Sequence, residues 1–388
     1  MHRNYYPSVY ISGIAQLKIE KSSSLSLKQM GALVVKEALK NAGIEKTDAV
    51  YIGNMLSGIL GKQQQLGALI TNEAGLHGVE SMTLEAACGS GGAALRAGVM
   101  AIMSGLCENV VVCGIEKMYH PDKNFLTQSI ATASDWENEG ALGENFLTLN
   151  SGLMKMYNEK YNIPEGALAN FSINAHQNAT RNNHALFQKP ITKSDYLNSK
   201  LVADPIRIYD ASPICDGAAA LVLTRRIERK NDRKIKITGS AVATEHVGIQ
   251  KRSNPLEALA IKFSGQKAMY MAGIKKRELD FFELHDAYTI ISALSLEAMD
   301  FSKPGEAWKL AESGGIFPEG KIPVSTFGGL KARGHALGAS GIYQAVEAYL
   351  QLTGKAEQNQ LKKEVKTAMI QSIGGTGSTV FTHILQAC

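Results

Sequence analysis

Apolar residues in this chain occur in short uninterrupted runs, separated by longer stretches where they recur at helical spacing. The runs predict strands buried on both faces, and the spaced stretches predict helices packed beside them. The same order of elements is written twice. Tyr10-Ile11-Ser12-Gly13 opens the first pass and Ile235-Lys236-Ile237-Thr238-Gly239 the second. Each leads to a helical stretch with a matching end, ALKNAGI from Ala38 to Ile44 and AMYMAGI from Ala268 to Ile274. Gly43 and Gly273 stand where such helices need a left-handed stop. An apolar strand follows in each pass, Ala49 to Ile52 and Phe281 to Leu284. Alanine-rich helices then open with EAACGSGG (Glu85 to Gly92) and GHALGASG (Gly334 to Gly341), and each runs on to a further strand, Asn109 to Cys113 and Thr367 to Gln371.

This alternation predicts an α/β fold with mostly parallel sheets covered by helices. The duplication predicts two such layers, packed back to back about a pseudo-twofold axis. The first half spans residues 1–118 and resumes over 214–230, where DGAAALVL (Asp216 to Leu223) supplies another strand; the second half spans 235–388. Residues 119–213 are more polar and less regular. They form an insertion with a helix over Glu165 to Asn182, expected to lie as a lid on the substrate side.

Composition narrows the function classes. With 388 residues, 45% hydrophobic and 20% charged, the chain is an ordinary globular protein of two domains or one large pseudo-symmetric body. The net charge of +5 is mild, and its one compact basic run, Arg225 to Lys234, reads as a solvated linker. No basic stretch is interleaved with aromatics, which argues against a nucleic-acid partner. No run approaches the roughly 18 apolar residues of a membrane span. The five cysteines are odd in number and form no CxxC pair, so neither a disulfide framework nor a metal site is expected, and a reducing cytoplasm fits.

Cys88 precedes a helix and is followed by Gly89, Ser90, Gly91 and Gly92. Unpaired amides and the helix dipole there favour a thiolate nucleophile; an inert buried thiol is the competing assignment. His335 holds the matching place in the second half, where a helix start keeps imidazole neutral as a base or donor, unless it only caps the turn. His285 ends the strand that corresponds to Ala49–Ile52, the end at which open α/β sheets hold ligands; a structural histidine bonded to Asp286 is the alternative. The loop SIGGTGS (Ser372 to Ser378) can offer amides to an oxyanion. His176 and His184 read as surface residues, and Met118, Met154 and Met156 as packing.

Taken together, AACGSGG, GIEKM (Gly114 to Met118), DGAAALVL, GHALGASG and the C-terminal glycine loop resemble the thiolases over essentially the whole chain. HDAYT (His285 to Thr289) is similar to the HDCF signature of sterol-carrier-type thiolases. GGLKARGHALGASGIYQ and SIGGTGS are most similar to archaeal-type acetoacetyl-CoA thiolases. The resemblance implies a five-layered α-β-α-β-α fold of two βαβαβαββ halves plus an inserted loop domain on the coenzyme A side. It implies that Cys88 carries the acyl group and His335 activates it. The amides of Cys88 and Gly374 would hold the acyl oxyanion, His285 with His335 the enolate oxygen, and Met118 and Tyr288 would line the substrate pocket. The implied substrates are coenzyme A thioesters, with no further cofactor and no metal.

One departure matters: the second cysteine of most thiolases is replaced, by Ser372 in one of its two usual places and Ala287 in the other. The remaining Cys–His–His set suits acetyl-CoA C-acetyltransfer, with a histidine or held water taking the α-proton. It also resembles decarboxylative condensing enzymes and thiolase-like C-acyltransferases. A non-catalytic scaffold subunit is a third reading, against which the joint presence of Cys88, His285, His335 and the glycine loop speaks. The resemblance further implies a homodimer or homotetramer. It also implies partnership with a hydroxymethylglutaryl-CoA synthase through a zinc-ribbon and OB-fold scaffold protein.

Overall fold

A computed structural model describes residues 7–226 and 233–388, so most of the basic linker lies outside the described residues. The first pass comprises β1 (Tyr10–Gln16), α1 (Leu27–Ala42), β2 (Ala49–Gly53), α2 (Leu66–Glu73), β3 (Glu80–Leu84), α3 (Ser90–Ser104) and β4 (Asn109–Glu116). Four helices follow, α4 (Lys123–Ala131), α5 (Phe146–Tyr161), α6 (Ala169–Ala179) and α7 (Lys193–Leu197), then a small hairpin of β5 (Leu201–Ala203) and β6 (Ile206–Arg207). The helix expected over Glu165 to Asn182 is thus the shorter α6. β7 (Gly217–Thr224) returns to the main sheet. The second pass is β8 (Ile235–Thr244), α8 (Leu259–Ala272), β9 (Phe281–Glu283), α9 (Thr289–Ala298), α10 (Ala307–Glu312), α11 (Leu337–Thr353), β10 (Thr367–Gly374) and β11 (Thr379–Ala387). The matching ends of α1 and α8 stop as expected, with Gly43 at φ 68° and Gly273 at φ 69°.

The sheets differ from the expectation in two respects. They join into one nine-stranded sheet, β3-β2-β4-β7-β1-β8-β11-β10-β9, through a short antiparallel contact between Tyr10–Ile11 of β1 and Ile235–Lys236 of β8. They are also mixed rather than mostly parallel. β2 pairs in parallel with β3 and β4, and β9 with β10, whereas the other ladders of this sheet run antiparallel. The cause is local at one end: the glycine loop between β10 and β11 is too short for a crossover, and a tight turn can only reverse the strand. In the second half the place of β3 is taken by a single parallel bridge, Phe282 to Val324.

Side-chain alternation then builds the layers. In β4, Val110 and Val112 enter one core while Val111, Cys113 and Ile115 enter another; Leu221 and Val222 of β7 divide in the same way. In β10, Ala368 and Ile370 join the first core and Met369 a third. Helices α1 and α2 cover the outer face of the first half-sheet, and α8 and α9 that of the second. Between the half-sheets lie α3 and α11, each touching strands of both. The result is the five-layered arrangement. Among the described residues no helix is long and apolar enough to cross a membrane.

The central pair packs backbone to backbone. A Cβ on Gly91 would stand 2.7 Å from the Gly338 carbonyl oxygen, and one on Gly341 would stand 2.7 Å from the Gly92 nitrogen. Only glycine permits that approach. Gly341→Ala is therefore expected to force α3 and α11 apart and to cost about 1–3 kcal/mol in urea unfolding; an unchanged midpoint would contradict the close contact.

Candidate active site

Cys88 sits on a tight turn between β3 and α3. Ala87 before it adopts φ 52°, unusual for a residue with a side chain. The turn is laced by its own polar groups. The Ala86 N–H donates to Ser90 Oγ (2.9 Å), Ser90 Oγ donates to the Ala87 carbonyl (2.6 Å), and the Gly89 N–H donates to the Ala86 carbonyl (2.9 Å). This fixes the thiol at the amino end of α3. The thiol is not the thiolate expected from that position. Cys88 is 7% exposed, and burial, helped by the negative charges of Glu116 and Glu85, pushes its pKa up to about 12. The N–H groups of Cys88 itself and of Gly375 work the other way. The loop amide directed at the sulfur is thus that of Gly375, next to the Gly374 that the resemblance implies. Gly374 itself ends β10, paired with Thr379.

The two imidazoles meet edge to face, with ring centroids 5.0 Å apart and planes at 88°. Their hydrogen bonds bear on their tautomers. A backbone amide can only donate, and that of Ile373 donates to His285 Nδ1 at 3.3 Å. Neutral His285 must then carry its proton on Nε2, which makes that edge a donor. Asp286 is not its partner; it accepts from the Leu330 N–H at 2.7 Å and Ser325 Oγ at 3.2 Å. His335 Nδ1 lies 2.8 Å from Ser340 Oγ, one turn into α11. With Nδ1–H donating to that hydroxyl, Nε2 keeps a lone pair and can act as base. Burial and then the Arg333 guanidinium press the His285 pKa down to about 3. Burial, His285 and Arg333 hold His335 well below the usual imidazole range. Both rings are neutral at physiological pH.

Cys88, His285 and His335 line one cavity of about 690 Å³, together with Met118 and Tyr288. The structure thus brings together the side chains singled out from sequence. Of the two places where a second cysteine is usual, Ala287 is on the cavity wall. Ser372 instead lies against Gly92 and Gly341 between the central helices.

Other residues of the site went unnoticed in the sequence. Glu116, in GIEKM, is buried and accepts four N–H donors. Oε1 takes Asn54 Nδ2 (2.8 Å) and Leu56 N (3.1 Å), and Oε2 takes Met55 N (2.9 Å) and Gly338 N (3.1 Å). It clamps the start of α11 to the ends of β2 and β4, while burial pushes its own pKa up to about 7 against those donors. An acid closing an apolar strand was the available signal. His176, expected at the surface, is buried on the cavity wall, stacked on Phe187 and edge-on to Tyr209. The cause is that residues 185–190 fold back over α6, and the Lys189 carbonyl lies 3.2 Å from His176 Nδ1. His184 is only half-buried. Met118 and Met154 are packed, whereas Met156 is 36% exposed. Lys331, two residues before Arg333, also lines the cavity.

A buried neutral thiol predicts a definite pH response. The thiolate fraction grows about tenfold per pH unit below the thiol pKa. Iodoacetamide alkylation of Cys88 should therefore accelerate continuously from pH 7 to 10, followed by peptide mass analysis. A plateau at or below pH 8 would show a thiolate already formed.

The geometry agrees with comparisons across the chain. Residues 9–227 match the family described as thiolase, N-terminal domain, and residues 241–387 that described as thiolase C-terminal domain-like. An acetyl-CoA acetyltransferase of Methanothermobacter thermautotrophicus is 37% identical over 97% of this chain and 98% of its own. One of Methanocaldococcus jannaschii is 35% identical, again covering 97% and 98%. Human sterol carrier protein 2 is 23% identical over 96% of this chain and 71% of its own. Among solved structures, an Ltp2-ChsH2(DUF35) aldolase superposes with a TM-score of 0.86 at 20% identity, covering 98% of both chains. An acetyl-CoA acetyltransferase from Syntrophomonas wolfei gives 0.74 at 16% identity, covering 98% of this chain and 99% of that one. A thiol and two imidazoles on one cavity wall, in a chain matched from residue 9 to residue 387 by both halves of one family, place this acyltransferase in the thiolase family.

Proposed function

We propose that the protein is an acetyl-CoA C-acetyltransferase, joining two acetyl-CoA molecules into acetoacetyl-CoA and free coenzyme A, or running the reverse thiolysis. The observation that carries this reading is two buried imidazoles and one thiol on a single cavity wall. His285 Nδ1 accepts from the Ile373 N–H and His335 Nδ1 lies against Ser340 Oγ, an arrangement that suits one ring as Nε2–H donor and the other as Nε2 base. The similarity to two acetyl-CoA acetyltransferases supports the substrate. In the first half-reaction His335 takes the Cys88 proton as Sγ attacks the acetyl carbonyl, then delivers it to the departing coenzyme A sulfur. The amides of Cys88 and of the Gly374–Gly375 turn hold the oxyanion. In the second, His335 or a held water removes the α-proton of another acetyl-CoA, with the enolate oxygen held by His285 Nε2–H and by His335 once protonated. The carbanion attacks the acyl carbon, the Sγ–C bond breaks, and the proton returns to Sγ. Starting from neutral groups avoids burying a thiolate–imidazolium pair before substrate arrives.

This reading divides the chain into a half of 1–118 with 214–230, an inserted substrate-side domain of 119–213, and a half of 235–388. It places the protein in the cytoplasm, needs no group beyond coenzyme A thioesters, and includes a homodimer or homotetramer. It also includes a hydroxymethylglutaryl-CoA synthase and a zinc-ribbon and OB-fold protein as partners; the two-component name of the Ltp2-ChsH2(DUF35) neighbour supports a scaffold. Recovery of this chain alone at native expression would count against those partners. A second reading, decarboxylative condensation or C-acylation of another nucleophile, is favoured by one observation: with Ala287 on the wall, Cys88 has no second thiol beside it there among the described residues.

Thiolysis of acetoacetyl-CoA and longer 3-ketoacyl-CoAs separates the readings. Cys88→Ala and His335→Ala should each lower kcat by about a thousandfold or more, and His285→Ala by about a hundred- to a thousandfold. A wild-type enzyme inactive on every 3-ketoacyl-CoA but active in decarboxylative or C-acylation assays would establish the second reading.

A further inference from the structure

The glycine turn beside Cys88 is held by a residue that the proposed reaction leaves out. The turn joins β10 to β11, with Gly375 at φ 60° and Gly377 at φ 93°. Two glycines in left-handed conformations bring no side chain to stiffen it, so hydrogen bonds and close packing must hold its shape. Its start packs on the Cys88 turn. A Cβ on Gly89 would stand 3.1 Å from the Gly374 nitrogen, and one on Gly374 would run into the Ala86 carbonyl oxygen. From within, the Ser378 N–H (3.2 Å) and the Ser378 hydroxyl (3.3 Å) both donate to the Gly374 carbonyl. That carbonyl belongs to the peptide unit whose N–H is that of Gly375, the amide directed at the Cys88 sulfur.

Arg252 grips the middle of the turn. It is 6% exposed and lies on the connection from β8 to α8. Its Nη1 donates to the Thr376 carbonyl (2.9 Å) and its Nη2 to Thr376 Oγ1 (3.3 Å). Its Nε donates to the His246 carbonyl (2.9 Å), and Nη2 also to that of Val247 (3.4 Å). One rigid guanidinium fork thereby ties the turn to residues 246–247. The Glu245 N–H adds a bond to the Ser378 carbonyl (2.8 Å). The connection is anchored in its turn by buried Glu139, which accepts the Ile249 N–H at 2.8 Å. Glu245 and Glu139 also supply counter-charge to the guanidinium. Arg252 is not on the cavity wall, so its route to the chemistry runs through the turn.

An oxyanion donor is effective only where charge develops, and a displacement of about 1 Å costs about a hundredfold in rate. We propose that Arg252 is a positioning residue for acyl transfer: through Thr376 it locks the glycine turn so that the Gly375 N–H meets the oxyanion formed on Cys88. This rests on the acyl-Cys88 reading above and adds the residue that maintains its oxyanion donor. Single-turnover acetylation of Cys88, followed by quenched-flow mass analysis over a range of acetyl-CoA concentrations, tests it in the full chain. Arg252→Met should lower the maximal rate about a hundredfold and leave the half-saturating concentration within about threefold. Arg252→Lys, which keeps the charge and a donor for the Thr376 carbonyl, should regain about tenfold of that loss. Iodoacetamide alkylation of Cys88 forms no oxyanion and should stay within about tenfold of the parent.

A maximal rate within about threefold of the parent in Arg252→Met would overturn the proposal while leaving the acyl-enzyme reading intact. So would acetylation and alkylation slowed by one common factor, or a matching rise in half-saturation, either of which would assign Arg252 to general structure. If the methionine variant does not fold, the lysine variant decides: a loss of about three- to tenfold in maximal rate alone supports the clamp, and an unchanged rate overturns it. A parent that forms no acetyl-Cys88 would overturn the acyl-enzyme reading itself, and this proposal with it.

Discussion

The approach of α3 to α11 governs the rest of the molecule. Gly91 on one helix meets the backbone of Gly338 and Gly341 on the other, and Gly341 meets the backbone of Gly91 and Gly92 in return. The residues just before these helices are Cys88 and His335, so the contact that closes the central layer also fixes how the thiol and the imidazole share a cavity. Glu116 reinforces it by receiving N–H groups from the start of α11 and from the loop after β2 on a single carboxylate. Ser372 fills the remaining gap between the helices, and a longer side chain there would press on the same contact.

Electrostatics around this contact follow one rule: charge is buried only with a partner, and the reacting groups stay neutral. Arg333 is fully buried, 2.7 Å from Glu347 and stacked on the Tyr343 ring. Its field, added to desolvation, keeps His285 and His335 uncharged. The same desolvation keeps Cys88 protonated. A site of this kind stores its reactivity in hydrogen-bond geometry rather than in resting charges. The backbone amide of Ile373 and the hydroxyl of Ser340 direct each imidazole's function without titrating themselves.

The repeat makes much of this legible in the sequence itself. ALKNAGI and AMYMAGI revealed paired helix ends, and the equivalence of EAACGSGG with GHALGASG placed Cys88 and His335 at matching positions, because backbone geometry at helix starts is written in local glycine patterns. Strand direction was not legible in the same way: the antiparallel return of β7 depends on how a long connection is routed, that of β11 on a short glycine turn, and apolar runs look alike whichever way they point. Nor was the burial of His176 and Lys331, since an irregular loop folds back over the one and the distant Asp210 carbonyl holds the other. The state of Cys88 was misread for a related reason. A helix start argues for a thiolate, but the enclosing residues, which come from several parts of the chain, remove the water that a thiolate would need.

On the proposed reading, Cys88 forms a covalent bond to the acyl group while His335 takes its proton. Rapid acid quench of the enzyme with acetyl-CoA, followed by peptide mass spectrometry, reads this directly. One acetyl group is expected on the peptide containing Cys88, lost in His335→Ala and discharged by added coenzyme A. An unmodified Cys88, or acetyl on Cys107, Cys113, Cys215 or Cys388 in its place, would contradict it.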